Sequence, residues 1–142
     1  MPKARLLPVL RLLRRQTDLP LTIDTVRAGT AAAALTEGAD LLECDVRLTA
    51  DDHLVCVHGR RIDRISDGHG VVSAKTLQQL HRWDFGGREN GVLRLEELID
   101  LVLSADRPVG LAIETKHPNR YAGRVEQRVV ELGRRPGLLP AR

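Results

Sequence analysis

The 142-residue chain is long enough to bury one hydrophobic core. No run of 18 apolar residues occurs in it, which excludes a membrane-spanning helix. With a single Trp, Tyr and Phe, the core must be built from Leu, Val, Ile and Ala, and stacking on single-stranded nucleic acid is disfavoured.

The net charge of +3 is unevenly spread. Residues 1–15 carry five bases and no acid, and residues 120–142 carry six Arg against Glu126 and Glu131. The middle holds eleven bases and seventeen acids, so the basic character belongs to the two ends and the centre is acidic, as a cation site would be.

From the N-terminus, ARLLPVLRLLRR (Ala4 to Arg15) alternates apolar pairs with arginines and predicts a surface helix, kinked or delayed by Pro8. Arg11 interrupts the apolar run, so the segment is a poor signal peptide; a basic membrane-surface helix is the alternative. Asp24 or Thr25 is expected to cap a helix through VRAGTAAAALTE, with Gly38 as its stop.

Two strand-like runs follow, LLECDVRL and HLVCVH, separated by the polar turn Thr49-Ala50-Asp51-Asp52. Alternation puts Leu42, Cys44, Val46 and Leu48 on one face and Glu43, Asp45 and Arg47 on the other. Two carboxylates side by side raise one another's pKa unless a proton or cation intervenes, and a hard divalent ion such as Mg²⁺ or Ca²⁺ is the simplest neutraliser. A bare E-x-D equally fits the solvated face of an edge strand. Cys44 and Cys56 fall on apolar faces and read as buried thiols of a cytoplasmic protein, without C-x-x-C spacing.

Beyond His58 lies a charged loop with Arg60, Arg61 and Arg64; His53 and His69 fall in polar turns, and His81 in the short helix TLQQLHRW. LEELIDLVLS (Leu95 to Ser104) has the 3.6-residue apolar period of a helix packed on a sheet. VGLAIETK (Val109 to Lys116) reads as a strand with Ala112, Glu114 and Lys116 on one face. A last helix is expected from Pro118, with Tyr121, Val125, Val129 and Leu132 as its apolar stripe, before an irregular RPGLLPAR. Alternating strands and helices predict an α/β fold with parallel pairing and right-handed crossovers.

The run GADLLECDVRLTADDHLVCVHG, continuing through Arg64, Asp67 and Gly68 to Leu95-Glu96-Glu97 and Ile113-Glu114-Thr115-Lys116, resembles the glycerophosphodiester phosphodiesterase family over about residues 24–132. The resemblance implies a partial TIM-barrel-like (β/α) parallel sheet, the N-terminal half of a phosphodiesterase barrel, because 142 residues fall short of the ~250 of a complete one. Residues 1–142 then form a single incomplete domain, whose open sheet edge a homo-oligomer would cover.

The same resemblance implies that Glu43, Asp45 and Glu114 are metal ligands for Mg²⁺ or Ca²⁺, that His58 is catalytic and that Lys116 contacts the phosphodiester substrate. The chemistry implied is metal-dependent hydrolysis of glycerophosphodiesters to an alcohol and glycerol 3-phosphate, a reaction of lipid metabolism. Two departures stand out. The family's H-R-G at the end of the first strand falls near Gln16, where no histidine occurs, and Val26-Arg27-Ala28-Gly29 is not assigned to it; Gly59 stands where the family has an aspartate after the histidine. Activity is accordingly expected to be weak or lost. The alternatives are a non-catalytic remnant that binds metal or phosphodiester or serves as an assembly partner, and a basic-ended binder of nucleic acid or membrane surfaces.

Overall fold

Strand β2 (Leu41–Leu48) sits at the centre of a four-stranded sheet. In a computed structural model that describes residues 3–86, 91–118 and 123–138, it is preceded by α1 (Lys3–Gln16), β1 (Thr22–Asp24) and α2 (Ala28–Thr36). After it come β3 (Leu54–Cys56), a 3₁₀ turn (Val72–Ala74), α3 (Leu77–Leu80), α4 (Leu95–Leu103), β4 (Gly110–Thr115) and α5 (Arg124–Gly133).

The direction of the β2 carbonyls fixes its neighbours. Those of Glu43 and Asp45, two residues apart, point to one edge and accept the N–H groups of Thr25 (3.1 Å) and Val57 (2.9 Å). The Val46 carbonyl points to the other edge and accepts from Lys116 N–H at 3.2 Å. Hence β1 and then β3 lie along one edge, and β4 along the other. Both β1 and β4 run parallel to β2, as predicted for helix-linked strands, whereas β3 runs antiparallel. The uniform parallel pairing expected from the sequence is corrected at β3: five residues join it to β2, too few for a crossover, and Asp52 takes a positive φ of 70° in the turn.

Alternation along β2 buries Leu42, Cys44, Val46 and Leu48 under the helices, in a core with Leu10, Ala31, Ala34, Leu95, Leu98, Ile99 and Val125. Strand β3 is buried on both faces. Leu54 and Cys56 join that core, while Val55 and Val57 enter a smaller one with Ile62, Val72, Leu80 and Val92, formed by the segment that follows. Arg47 is the register partner of Val55, so this smaller core flanks the sheet face that carries Glu43 and Asp45.

Two boundaries differ from the sequence reading. Helix α2 begins later than expected: Arg27 is its N-cap residue, and Thr25 accepts the Arg27 N–H on its side chain in a local turn (3.1 Å) rather than capping the helix. Helix α5 starts at Arg124, after Gly123 in the left-handed region, instead of at Pro118. Its stripe residue Tyr121 and the tail 139–142 lie outside the described residues.

The passage from α2 into β2 aims the acidic strand. Gly38 (φ 90°) turns the chain while its N–H donates to Leu35 O (3.2 Å) and the Ala39 N–H donates to Ala34 O (3.0 Å). Arg107 fastens the same corner, donating to the Leu35 and Ala39 carbonyls at 3.1 and 2.6 Å. Gly38→Ala is therefore expected to lower the unfolding free energy by about 1 kcal/mol in urea titration, because a Cβ is strained at positive φ. Gly133→Ala, at the end of α5 with open space around its Cα, is expected to be neutral or stabilising in the same assay.

Candidate metal centre

Glu43 and Asp45 leave β2 on the face away from the main core, and the β2–β4 register pairs Asp45 with Glu114. One carboxylate oxygen from each of the three residues lies within 4.8 Å of the others. The expected convergence of acids from separate segments is therefore a feature of the fold, near the carboxyl ends of two adjacent parallel strands. Asp45 retains only 5% of its accessible surface, whereas Glu114 is exposed.

Such a cluster needs positive charge or protons. Lys116, just past the end of β4, supplies part of the compensation: its Nζ lies 2.9 Å from Asp45 Oδ1 and 2.6 Å from Glu114 Oε1. Its ammonium pulls the Glu114 carboxyl below its ordinary pKa and is itself raised by the two acids. Glu43 has no such cation. Partial burial, a hydrogen bond to the Asp24 carboxylate, and the charges of Asp24, Asp45 and Glu114 push its pKa up to about 7. One ammonium and the raised proton affinity of Glu43 thus offset part of the cluster's negative charge.

Asp24 is the residue the sequence reading missed as part of this site. It ends β1 and is the register partner of Glu43. The short alternation Leu21-Thr22-Ile23-Asp24 is a strand signal, but it is only four residues long and adjoins residues that read as a helix cap.

His58 follows β3 and is exposed; its charge contributes to the lowering of the Glu114 pKa, so it borders the cluster. Its backbone is held by Arg47, whose Nε donates to His58 O at 3.1 Å. Of the four other histidines, three lie beside acids outside the cluster: His53 by Asp51 (3.9 Å), His69 by Asp63 (3.8 Å) and His117, whose Nε2 is 2.9 Å from Glu126 Oε1. Cys44 and Cys56 are buried free thiols, and burial together with the neighbouring Cys44 raises the Cys56 pKa. A cavity of about 1140 Å³ opens between the start of α2 and the segment after β3, with Arg27, Arg64 and Phe85 in its wall; none of the three carboxylates lines it.

Five of the eleven bases at the two ends pair with acids. Arg11 pairs with Glu37, Arg14 with Asp40 (2.5 Å), Arg124 with Asp52, Arg128 with Glu131 (2.5 Å) and Arg135 with Asp100 (2.9 Å). Among the described residues no helix is long and apolar enough to cross a membrane.

The chain is similar to known proteins. "Probable glycerophosphodiester phosphodiesterase 1" of Mycobacterium tuberculosis is 49% identical over 116 residues, covering 74% of this chain and 42% of that protein. A glycerophosphodiester phosphodiesterase of Bacillus subtilis is 30% identical over 108 residues, 66% of this chain and 36% of that protein. The chain thus spans less than half the length of these relatives. Among solved structures, an Oleispira antarctica phosphodiesterase in complex with the product sn-glycerol-3-phosphate superposes with a TM-score of 0.73 at 21% identity, over 82% of this chain and 52% of that one, a likeness of fold. Residues 27–135 match the glycerophosphoryl diester phosphodiesterase family. With the acidic residues of β2 and β4 inside that match and the sheet shared with a phosphodiesterase barrel, the chain belongs to the glycerophosphoryl diester phosphodiesterase family.

Proposed function

We propose that the chain carries the cation-holding part of a glycerophosphodiester hydrolase, with Glu43, Asp45 and Glu114 as ligands of Mg²⁺ or Ca²⁺. The observation that carries this reading is the three-carboxylate cluster with a single ammonium lying against two of its members. Carboxylate oxygens are the donors hard divalent ions take, and Lys116 marks where positive charge is already accepted.

A bound divalent ion supplies Lewis-acid polarisation of the phosphodiester and absorbs charge on its non-bridging oxygens. Lys116, released from Asp45 and Glu114, turns its ammonium to a phosphate oxygen of the substrate. His58, fixed through its carbonyl by Arg47, takes the proton of the attacking hydroxyl on its ring nitrogen. No second imidazole borders the cluster among the described residues: an aspartate stands at the end of β1, and Gly59 follows His58. Hydrolysis of lipid-derived glycerophosphodiesters is therefore slow or lost, while binding of cation and diester persists. The ion pairs that engage both basic ends disfavour the reading as a nucleic-acid or membrane-surface binder.

In this reading residues 1–142 belong to one domain of a cytoplasmic protein, with the motif-bearing part at about 24–132. Among the described residues no strand pairs with the outer edges of β1 and β4; these strands run in the same direction, so a second copy related by a two-fold axis along them would cover both.

Three outcomes are expected. Added Mg²⁺ or Ca²⁺ supports slow release of glycerol 3-phosphate from a glycerophosphodiester; chelation or Glu43→Ala abolishes it, and His58→Ala lowers it by roughly 10² to 10⁴-fold. Hydrolysis indifferent to chelation contradicts the proposal. Cation affinity, read by calorimetry, falls about tenfold per pH unit below the Glu43 pKa of about 7 and levels off above it, because the carboxyl must lose its proton to bind. In the ion-free protein the sign reverses. The folded state holds a proton at Glu43 that the unfolded chain releases near the ordinary glutamate value of 4.5, so the contribution of Glu43 to stability is largest below that pH and declines as pH rises to about 7. Glu43→Gln flattens that decline in urea unfolding.

A further inference from the structure

Each segment that carries a group of the proposed site runs on, two residues later, into the wall of a second cavity. Asp45 leads to Arg47 along β2, His58 to Arg60, and Lys116 to Pro118. Together with Val71, Val72 and Ser73 these line a space of about 460 Å³, and among the described residues no carboxylate lies in its wall. Two guanidinium groups with no acid between them favour negative charge. Arg47 is half-buried and held in place, its Nε donating to His58 O at 3.1 Å and its Nη1 to Pro118 O at 3.5 Å, while its Nη2 has no partner among the described residues. The Arg60 backbone is anchored, its carbonyl accepting from Val72 N–H at 3.1 Å. Its exposed guanidinium meets no acid among the described residues.

We infer that Arg47 and Arg60 form an anion subsite for the alcohol part of the diester, favouring substrates whose alcohol carries a second phosphate. This rests on the diester reading above and names the substrate class within it. Alternation puts Arg47 on the same face of β2 as Asp45, roughly 7 Å further along the strand. Two phosphates joined through one glycerol span a similar distance, so a diester drawn to the acidic cluster through a cation reaches the two guanidiniums with its second phosphate. The planar fork of a guanidinium matches a pair of phosphate oxygens, and each such charge-assisted contact is stronger than a neutral one. An alcohol that is neutral or cationic gains nothing from this cavity.

Calorimetric titration with Ca²⁺ present tests it by comparing bis(glycerophospho)glycerol, whose alcohol part carries a second phosphate, with glycerophosphoglycerol, whose alcohol is neutral. The parent chain is expected to bind the first about tenfold more tightly, beyond the roughly twofold that two equivalent diesters give by number alone. Arg60→Ala is expected to bring that ratio down to about twofold and to leave the affinity for glycerophosphoglycerol unchanged. Arg61→Ala removes the same charge outside the cavity, where Arg61 pairs with Asp63 (2.9 Å), and is expected to keep the parent's preference. A parent ratio of about twofold overturns the inference, as does Arg60→Ala keeping the preference or Arg61→Ala losing it equally; in each case diester binding itself still stands. A parent chain that binds neither diester removes the diester reading and this inference together.

Discussion

Carboxylate oxygens gathered within 4.8 Å of one another repel unless something positive sits among them, and the rest of this structure is arranged around that constraint. The sheet creates the problem by pairing Asp45 with Glu114 and standing Glu43 on the same face of β2. It supplies two partial answers of its own. Lys116 bridges Asp45 and Glu114, and the Asp24 side raises the proton affinity of Glu43. A divalent ion held by Glu43, Asp45 and Glu114, as proposed, would answer the whole of it. The main core on the opposite face, with Leu42, Cys44 and Val46 wholly buried, fixes the β2 backbone from which Glu43 and Asp45 project.

Much of this was legible in the sequence because β2 carries an unbroken period of two. Four apolar side chains at alternate positions leave Glu43 and Asp45 no choice of face, and Gly38 marks where α2 must stop. Glu114 and Lys116 followed from the same alternation in β4. Other features were hidden for physical reasons. A three-residue strand such as β1 has no periodicity of its own to speak of and exists because β2 offers it a hydrogen-bonding edge, so Asp24 read as a helix cap. The direction of β3 was available in principle, since five residues cannot carry a parallel crossover, but its LVCV run gives no sign that its two faces serve two different cores. The start of α5 depends on Gly123 adopting a left-handed conformation, which Pro118 obscured by being a good first helical residue.

The charge distribution reads differently once folded. Eleven bases at the two ends suggested a cationic footprint, yet Arg11, Arg14, Arg124, Arg128 and Arg135 each meet an acid. Arg11 and Arg14 secure α1 to the α2–β2 corner, and Arg124 joins α5 to the β2–β3 turn. These pairs tie peripheral helices to the elements that carry the acids. Exposed pairs add little stability each, so their contribution is chiefly orientation.

Crystals grown with Ca²⁺ test the central claim most directly. One ion bonded at about 2.3–2.6 Å to carboxylate oxygens of Glu43, Asp45 and Glu114, with Lys116 turned away, is the result the account predicts. Crystals in which those oxygens stay on Lys116 or diverge into solvent, with Ca²⁺ bound elsewhere or not at all, would contradict it.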